Sequence, residues 1–240
     1  MNILALDSSQ ETLSAALGIN SSSINNKDNV FYIEVDAGPR HSELIMECVD
    51  RLFALAETRP DKLDLVACMK GPGSFTGLRI AYATAKGLAA ALNIPMKAIP
   101  TLDCLAWHLS AWPGMVIPVM DAKQGRFFTA LYMHGKQICP YMDASPKTLI
   151  EEAAKAGLSH DEKVILTGPG ADLLLPLLTD TAAHLPRGIF AIDPLFRRGR
   201  ARELMEIAKG VTITGTEDFE SGPLYLRKSD AEINRLSKIN

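Results

Sequence analysis

The pattern of apolar and polar positions changes period along the chain, and those changes mark out its elements. Ile3–Leu6 is a short apolar run that ends at Asp7-Ser8-Ser9, and Thr12–Ile19 is a second strand candidate. Val30–Val35 (Val-Phe-Tyr-Ile-Glu-Val) is β-branched and aromatic, as a third strand requires. The polar segment from Asn20 to Asn29 reads as a hairpin loop, so the three strands are expected to be antiparallel neighbours. The period then becomes helical over His41–Glu57, followed by a buried strand at Leu63–Met69 and a turn at Gly71-Pro72-Gly73. An alanine-rich helix spans Phe75–Leu92, a short strand Pro95–Ile99, and a further helix follows Pro100.

Trp112-Pro113-Gly114 punctuates the chain and is read as a boundary. Beyond it, Met115–Met120, Phe127–Met133 and Gln137–Tyr141 form a strand meander around the polar turn Asp121–Arg126. A helix near Pro146–Ala156, a strand at Val164–Thr167 and a helix after Gly170 complete a smaller second half. Asp193-Pro194 resembles an N-cap followed by Pro in the first turn, opening a helix to about Lys209. Both halves begin strand, acidic turn, strand, a weak sign of internal duplication. The order predicts an α/β protein with mixed sheets. The expected organisation is a first lobe at 1–112 completed by the helix at 193–210, a smaller lobe at 113–192, and a tail at 211–240.

Two helices carry more apolar surface than one sheet can cover. At about 100° per residue, Leu44, Ile45, Met46, Cys48, Val49, Leu52, Phe53, Leu55 and Ala56 sweep roughly 200° of the first. The second is small and apolar nearly all round (Ala81, Ala83, Ala85, Gly87, Ala89, Ala90, Ala91), so another helix can come close to its backbone. The excess packs either inside the molecule or against a partner.

Composition narrows the function. The 240 residues are 47% hydrophobic and 22% charged with a net charge of −3, an ordinary globular balance without the basic excess of a free-standing nucleic-acid binder. No apolar stretch is long enough for a membrane span, and the first residues lack the basic start of a signal peptide, so a cytoplasmic protein is expected. Cys48, Cys68, Cys104 and Cys139 are scattered without a CxxC pair, as reduced, buried thiols would be. The five histidines form neither H-x-x-x-H nor H-E-x-x-H, and no Gly-x-Ser-x-Gly is present; no metal site is expected.

Lys70-Gly71-Pro72-Gly73-Ser74-Phe75-Thr76-Gly77-Leu78-Arg79 joins a strand to a helix, where backbone N–H groups converge as anion sites require. It is neither a Walker A loop nor G-x-G-x-x-G. Its glycines equally permit a tight turn and close packing of the helix on the sheet. Asp7-Ser8-Ser9 could hold a metal-nucleotide or merely stabilise a turn.

With these segments and Gly38-Pro39-Arg40-His41-Ser42-Glu43, Asn93-Ile94-Pro95 and Pro223-Leu224-Tyr225-Leu226-Arg227, the chain resembles the TsaB (YeaZ) family of tRNA threonylcarbamoyladenosine synthesis. The likeness is strong over about residues 1–110 and loose from there to about 220. It implies the ASKHA (actin/Hsp70-like ATPase) fold of two RNase H-like lobes. It also implies kinship with the catalytic subunit TsaD, whose His-x-x-x-His metal motif is met here by Thr101-Leu102-Asp103-Cys104-Leu105. The resemblance therefore implies a non-catalytic subunit that binds and activates TsaD. With TsaE, that assembly moves a threonylcarbamoyl group from threonylcarbamoyl-adenylate to the tRNA adenosine next to the anticodon.

The expected interface residues are Leu44, Ile45, Cys48, Leu52, Thr76, Ile80, Ala83 and Gly87, with Arg40, His41 and Arg79 at its rim. A homodimer is expected when the chain is alone, with tRNA met only through the complex. Asp7, Ser8, Gly71 and Gly73 line the expected vestigial nucleotide site. No cofactor is expected to bind tightly, with ATP or ADP at the complex interface. The competing readings are an active ASKHA metal or nucleotide enzyme, such as a glycoprotease-like peptidase, and a simple structural homodimer.

Overall fold

The computed structural model describes residues 1–20, 29–159, 162–181, 189–210 and 221–226. The hairpin loop predicted between Asn20 and Asn29, His160, His184, Arg227 and most of the 211–240 tail lie outside the described residues.

Two five-stranded sheets share one topology. In the first, β1 (Ile3–Asp7), β2 (Thr12–Ile19) and β3 (Asn29–Asp36) are antiparallel neighbours, and β4 (Leu65–Gly71) and β5 (Met96–Pro100) extend the sheet parallel to β1, in the order β3-β2-β1-β4-β5. In the second, β6 (Met115–Asp121), β7 (Phe127–Met133) and β8 (Lys136–Ala144) repeat the meander, and β9 (Lys163–Thr167) and β10 (Ile189–Ile192) extend it in parallel. The helices repeat as well. α1 (His41–Leu55), α2 (Phe75–Leu92) and α3 (Thr101–Trp107) correspond in order to α4 (Pro146–Lys155), α5 (Ala171–Thr181) and α6 (Ala201–Gly210). This duplication gives two lobes of one topology, the organisation that the resemblance implies.

Strand alternation sends side chains to both faces of each sheet. In the first, Leu4, Leu6, Leu13, Leu17, Val66 and Cys68 face α1 and α2, where Ile45, Val49, Leu52 and Ala85 meet them. Ile3, Ala5, Leu65, Ala67 and Met69 face the opposite way and are covered by Ala201, Leu204, Met205 and Ala208 of α6. In the second, Met115, Ile117 and Val119 pack on α4 and α5, whereas Val116, Met120 and Ile165 pack on Leu102, Leu105 and Ala106 of α3. The molecule is thus five layers, with α3 and α6 forming the layer between the sheets.

The Asp193-Pro194 signal predicts the last helix from Asp193; the structure starts α6 at Ala201. Asp193 does cap a turn, its Oδ1 accepting from the Leu195 amide at 2.9 Å. That turn stops at Gly199, which lies so close to Ser14 that an added Cβ would stand 2.4 Å from its side chain. β10 has no counterpart among the elements that the sequence pattern predicts.

Candidate partner face and inter-lobe cleft

Every glycine of the α2 entry segment has a packing reason. β4 ends at Gly71, and Ser74 caps α2 by accepting from the Gly77 amide at 3.2 Å. The β1–β2 turn lies against this helix start: the Ser9 carbonyl accepts from the Ser74 amide at 2.7 Å, and the Ser8 hydroxyl donates to the Gly77 carbonyl at 2.7 Å. A Cβ at Gly77 would stand 1.9 Å from the Ser8 carbonyl, and one at Gly73 2.6 Å from the Ser9 carbonyl. Gly71 has a φ of +111°. The Ser74 and Gly77 amides, two of those that could face an anion here, are spent on the turn.

A cleft of about 800 Å³ opens between the lobes, bordered by Ser9, Gln10, Gly73, Ser74, Asp121, Lys123, Gln124, Phe128 and Leu173. Of the four residues expected at a vestigial nucleotide site, Gly73 borders it, while Asp7, Ser8 and Gly71 lie behind it. Asp7 is fully buried. Its Oδ1 accepts from the amide and hydroxyl of Ser9 at 2.9 and 2.7 Å, and its Oδ2 from the Arg200 amide at 2.9 Å. Burial pushes this carboxyl up, against the pull of those donors and the Arg200 charge.

Behind the cleft, a buried charge cluster joins the lobes. Arg200 is 2% exposed; its Nη2 donates to Asp193 Oδ2 at 3.2 Å and to the Leu195 carbonyl at 2.7 Å. The same Asp193 oxygen accepts from His108 Nε2 and Thr167 Oγ, each at 2.8 Å. Burial alone would raise the Asp193 carboxyl, but the His108, Leu195-amide and Thr167 hydrogen bonds outweigh it and hold it below the usual carboxylate range. A carboxyl lowered in the native state stabilises the fold above its unfolded pKa of about 3.9, and that contribution is lost as pH falls toward the native value. Asp7, raised by burial, acts with the opposite sign: its contribution is present at low pH and lost as pH rises through its native value. Melting temperatures from pH 7 to pH 3 are therefore expected to fall more steeply for the native chain than for Asp193→Asn, and parallel curves would contradict the assignment.

The positions matched to a TsaD metal motif are structurally engaged. Asp103 Oδ1 accepts from Tyr141 at 2.8 Å and from the Tyr132 hydroxyl, tying α3 to β7 and β8. Cys104 is wholly buried, and burial pushes its thiol well up. Among the described residues no group of three or more His, Cys, Asp or Glu is placed to hold a metal ion.

The expected interface set divides in two. Ile45, Cys48 and Leu52 belong to the lobe's own core and support the helix from behind; no partner reaches side chains this deep. His41 is also buried, donating from Nε2 to the Gln10 carbonyl at 2.8 Å, so it tethers α1 to the β1–β2 turn instead of forming a rim. Arg40, Thr76, Arg79, Ala83 and Gly87 are exposed, and Leu44 and Ile80 half-buried. Met46, 42% exposed, and Leu55, 61% exposed, add apolar surface on α1. The cluster around Arg200 and the contacts of Tyr225 escape sequence reasoning, because no short-range pattern connects residues so far apart in the chain.

Comparison with known proteins places this geometry. The profile described as "TsaD: tRNA N6-adenosine threonylcarbamoyltransferase" matches residues 35–234. The TsaB protein of Bacillus subtilis (strain 168), named for tRNA threonylcarbamoyladenosine biosynthesis, is 29% identical over 97% of this chain and 96% of its own length. The chain belongs to the TsaB (YeaZ) branch of the TsaD family. The TsaB of Escherichia coli (strain K12) is 32% identical over 55% of each chain. A Pseudomonas aeruginosa crystal structure described as similar to peptidase YEAZ superposes with a TM-score of 0.72 at 23% identity, covering 94% of this chain and 99% of that one. The likeness to the TsaB relative thus runs through both lobes. No helix among the described residues is long and apolar enough to cross a membrane.

Proposed function

We propose that this chain is the non-catalytic scaffold of a tRNA-modifying complex in the cytoplasm. It binds TsaD through the outward face of α1 and α2 and, with TsaE, supports transfer of the threonylcarbamoyl group to the adenosine next to the anticodon. The observation that carries this reading is that face itself: Leu44, Ile80, Ala83 and Gly87 form a shallow, partly apolar surface, and a Cβ at Gly87 would meet nothing within 4 Å. Small residues allow a partner helix to approach closely, while Ile45, Cys48 and Leu52 keep α1 seated from within. The engagement of Asp103 by two tyrosines and the deep burial of Cys104 also support a subunit without metal chemistry of its own. Nucleotide then belongs to the assembled complex, with no tight site in this chain, and the same face pairs two copies when the partner is missing.

The test is co-elution of purified chain with TsaD from the same organism. A shift of both proteins to a common, earlier elution volume at micromolar concentration is expected. Separate elution at the volumes of the isolated proteins would overturn the reading.

A further inference from the structure

Residues 221–226 return from the end of the chain to the first two turns of α2. The Leu224 amide donates to the Lys70 carbonyl at 2.6 Å, extending the hydrogen bonding at the end of β4. Its own carbonyl lies where a Cβ on Gly71 would stand, 2.6 Å away, so this segment is a second reason for glycine there. Ser221 Oγ and Tyr82 OH are 2.9 Å apart. Tyr225 completes the contact: its ring centroid is 5.2 Å from that of Phe75, and its hydroxyl accepts from Arg79 Nε at 3.1 Å.

The result is an arginine held on two sides. The Arg79 guanidinium carbon sits 3.8 Å over the Phe75 ring, and Tyr225 fixes Nε. Arg79 is exposed, and no carboxylate among the described residues is paired with it. Phe75 and Tyr225 are themselves 40% and 42% exposed. A planar fork already stacked and anchored loses little freedom on binding and matches a carboxylate in bidentate fashion. Arg beside Tyr is also the composition enriched at interface hot spots.

We propose that Phe75, Arg79 and Tyr225 form a composite hot spot that receives a carboxylate side chain, flanked by apolar groups, from the partner protein docking on α2. This rests on the proposed function and names the group of the partner that the face recognises. A phosphate fits less well, because the side chains flanking the guanidinium are aromatic and suit a carboxylate carried on an apolar surface. The C-terminal segment thus serves to build the recognition surface.

Titrating TsaD from the same organism into the full chain by calorimetry tests the idea. Arg79→Gln is expected to weaken binding about 10–100-fold, Arg79→Lys by several-fold because the fork and the stacking are lost, and Tyr225→Phe by about threefold, since the ring remains but the anchor goes. The salt dependence of affinity should flatten in Arg79→Gln alone. Unchanged melting temperatures would show that the losses are at the interface. If the native chain binds while Arg79→Gln and Tyr225→Phe bind as it does, the hot spot is wrong although the proposed function stands. If the native chain does not bind, the proposed function itself has failed. Arg79-dependent binding of inorganic phosphate by the isolated chain at millimolar concentration would assign the patch to phosphate and overturn the carboxylate.

Discussion

Ala83→Asp is expected to abolish pairing with TsaD and leave a folded monomer. Ala83 is exposed on α2, with Ile80 three residues before it and Gly87 four after, on the same helical face. In the free protein its carboxylate would point into water, and the cost is limited to a helix-propensity difference of about 0.5 kcal/mol. Against a partner helix the same carboxylate would be desolvated in the seam and would compete with the partner's carboxylate for Arg79 one turn before it, a penalty of several kcal/mol. At 1.4 kcal/mol per tenfold, even about 3 kcal/mol lowers affinity more than a hundredfold. Size-exclusion co-elution reads the pairing, and circular dichroism with a thermal scan reads the fold. A heterodimer that persists at native affinity would move the docking surface away from this face.

Arg200→Ala is expected to be the most damaging single change to stability. The side chain is 2% exposed and is the cation facing Asp193, which also holds His108 and Thr167. Removing one member of a buried ion pair typically costs about 3–5 kcal/mol, because the other charge stays buried. For a chain of this size that corresponds to a fall in Tm of about 6–20 °C. Arg200→Met combined with Asp193→Asn should recover part of the loss, since Asp193 then carries no unpaired charge; with both single variants, the double mutant measures the coupling. A fall in Tm below about 3 °C for Arg200→Ala would mean that the cluster contributes little.

Much of the fold is legible in the sequence because local signals and tertiary demands coincide. Gly71-Pro72-Gly73 stops a buried strand and Ser74 caps the helix beyond it, so α2 reads correctly at both ends and β4 to within two residues at each. The repeated strand–turn–strand openings at Asp7 and Asp121 signal the duplication that the two sheets display. Where the signals diverge, the pattern misleads. Asp193-Pro194 is a sound helix start locally, yet the approach of Gly199 to Ser14 defers α6 to Ala201. The excess apolar arc of α1 is real, but periodicity cannot tell that Ile45, Cys48 and Leu52 face inward whereas Met46 and Leu55 face out. The contact between Arg79 and Tyr225 spans 146 residues, and the one between Asp7 and Arg200 spans 193. Nothing at short range announces either.

The late position of α6 in the chain has a consequence for synthesis. Once β5 has left the ribosome, the face of the first sheet formed by Ile3, Ala5, Leu65, Ala67 and Met69 still lacks the helix that covers it. That helix is encoded about 100 residues later, an interval of roughly 5–20 s at typical elongation rates. During this interval the nascent chain displays a bare apolar sheet, a natural binding site for a holding chaperone, and a fragment truncated before Ala201 would keep that face uncovered.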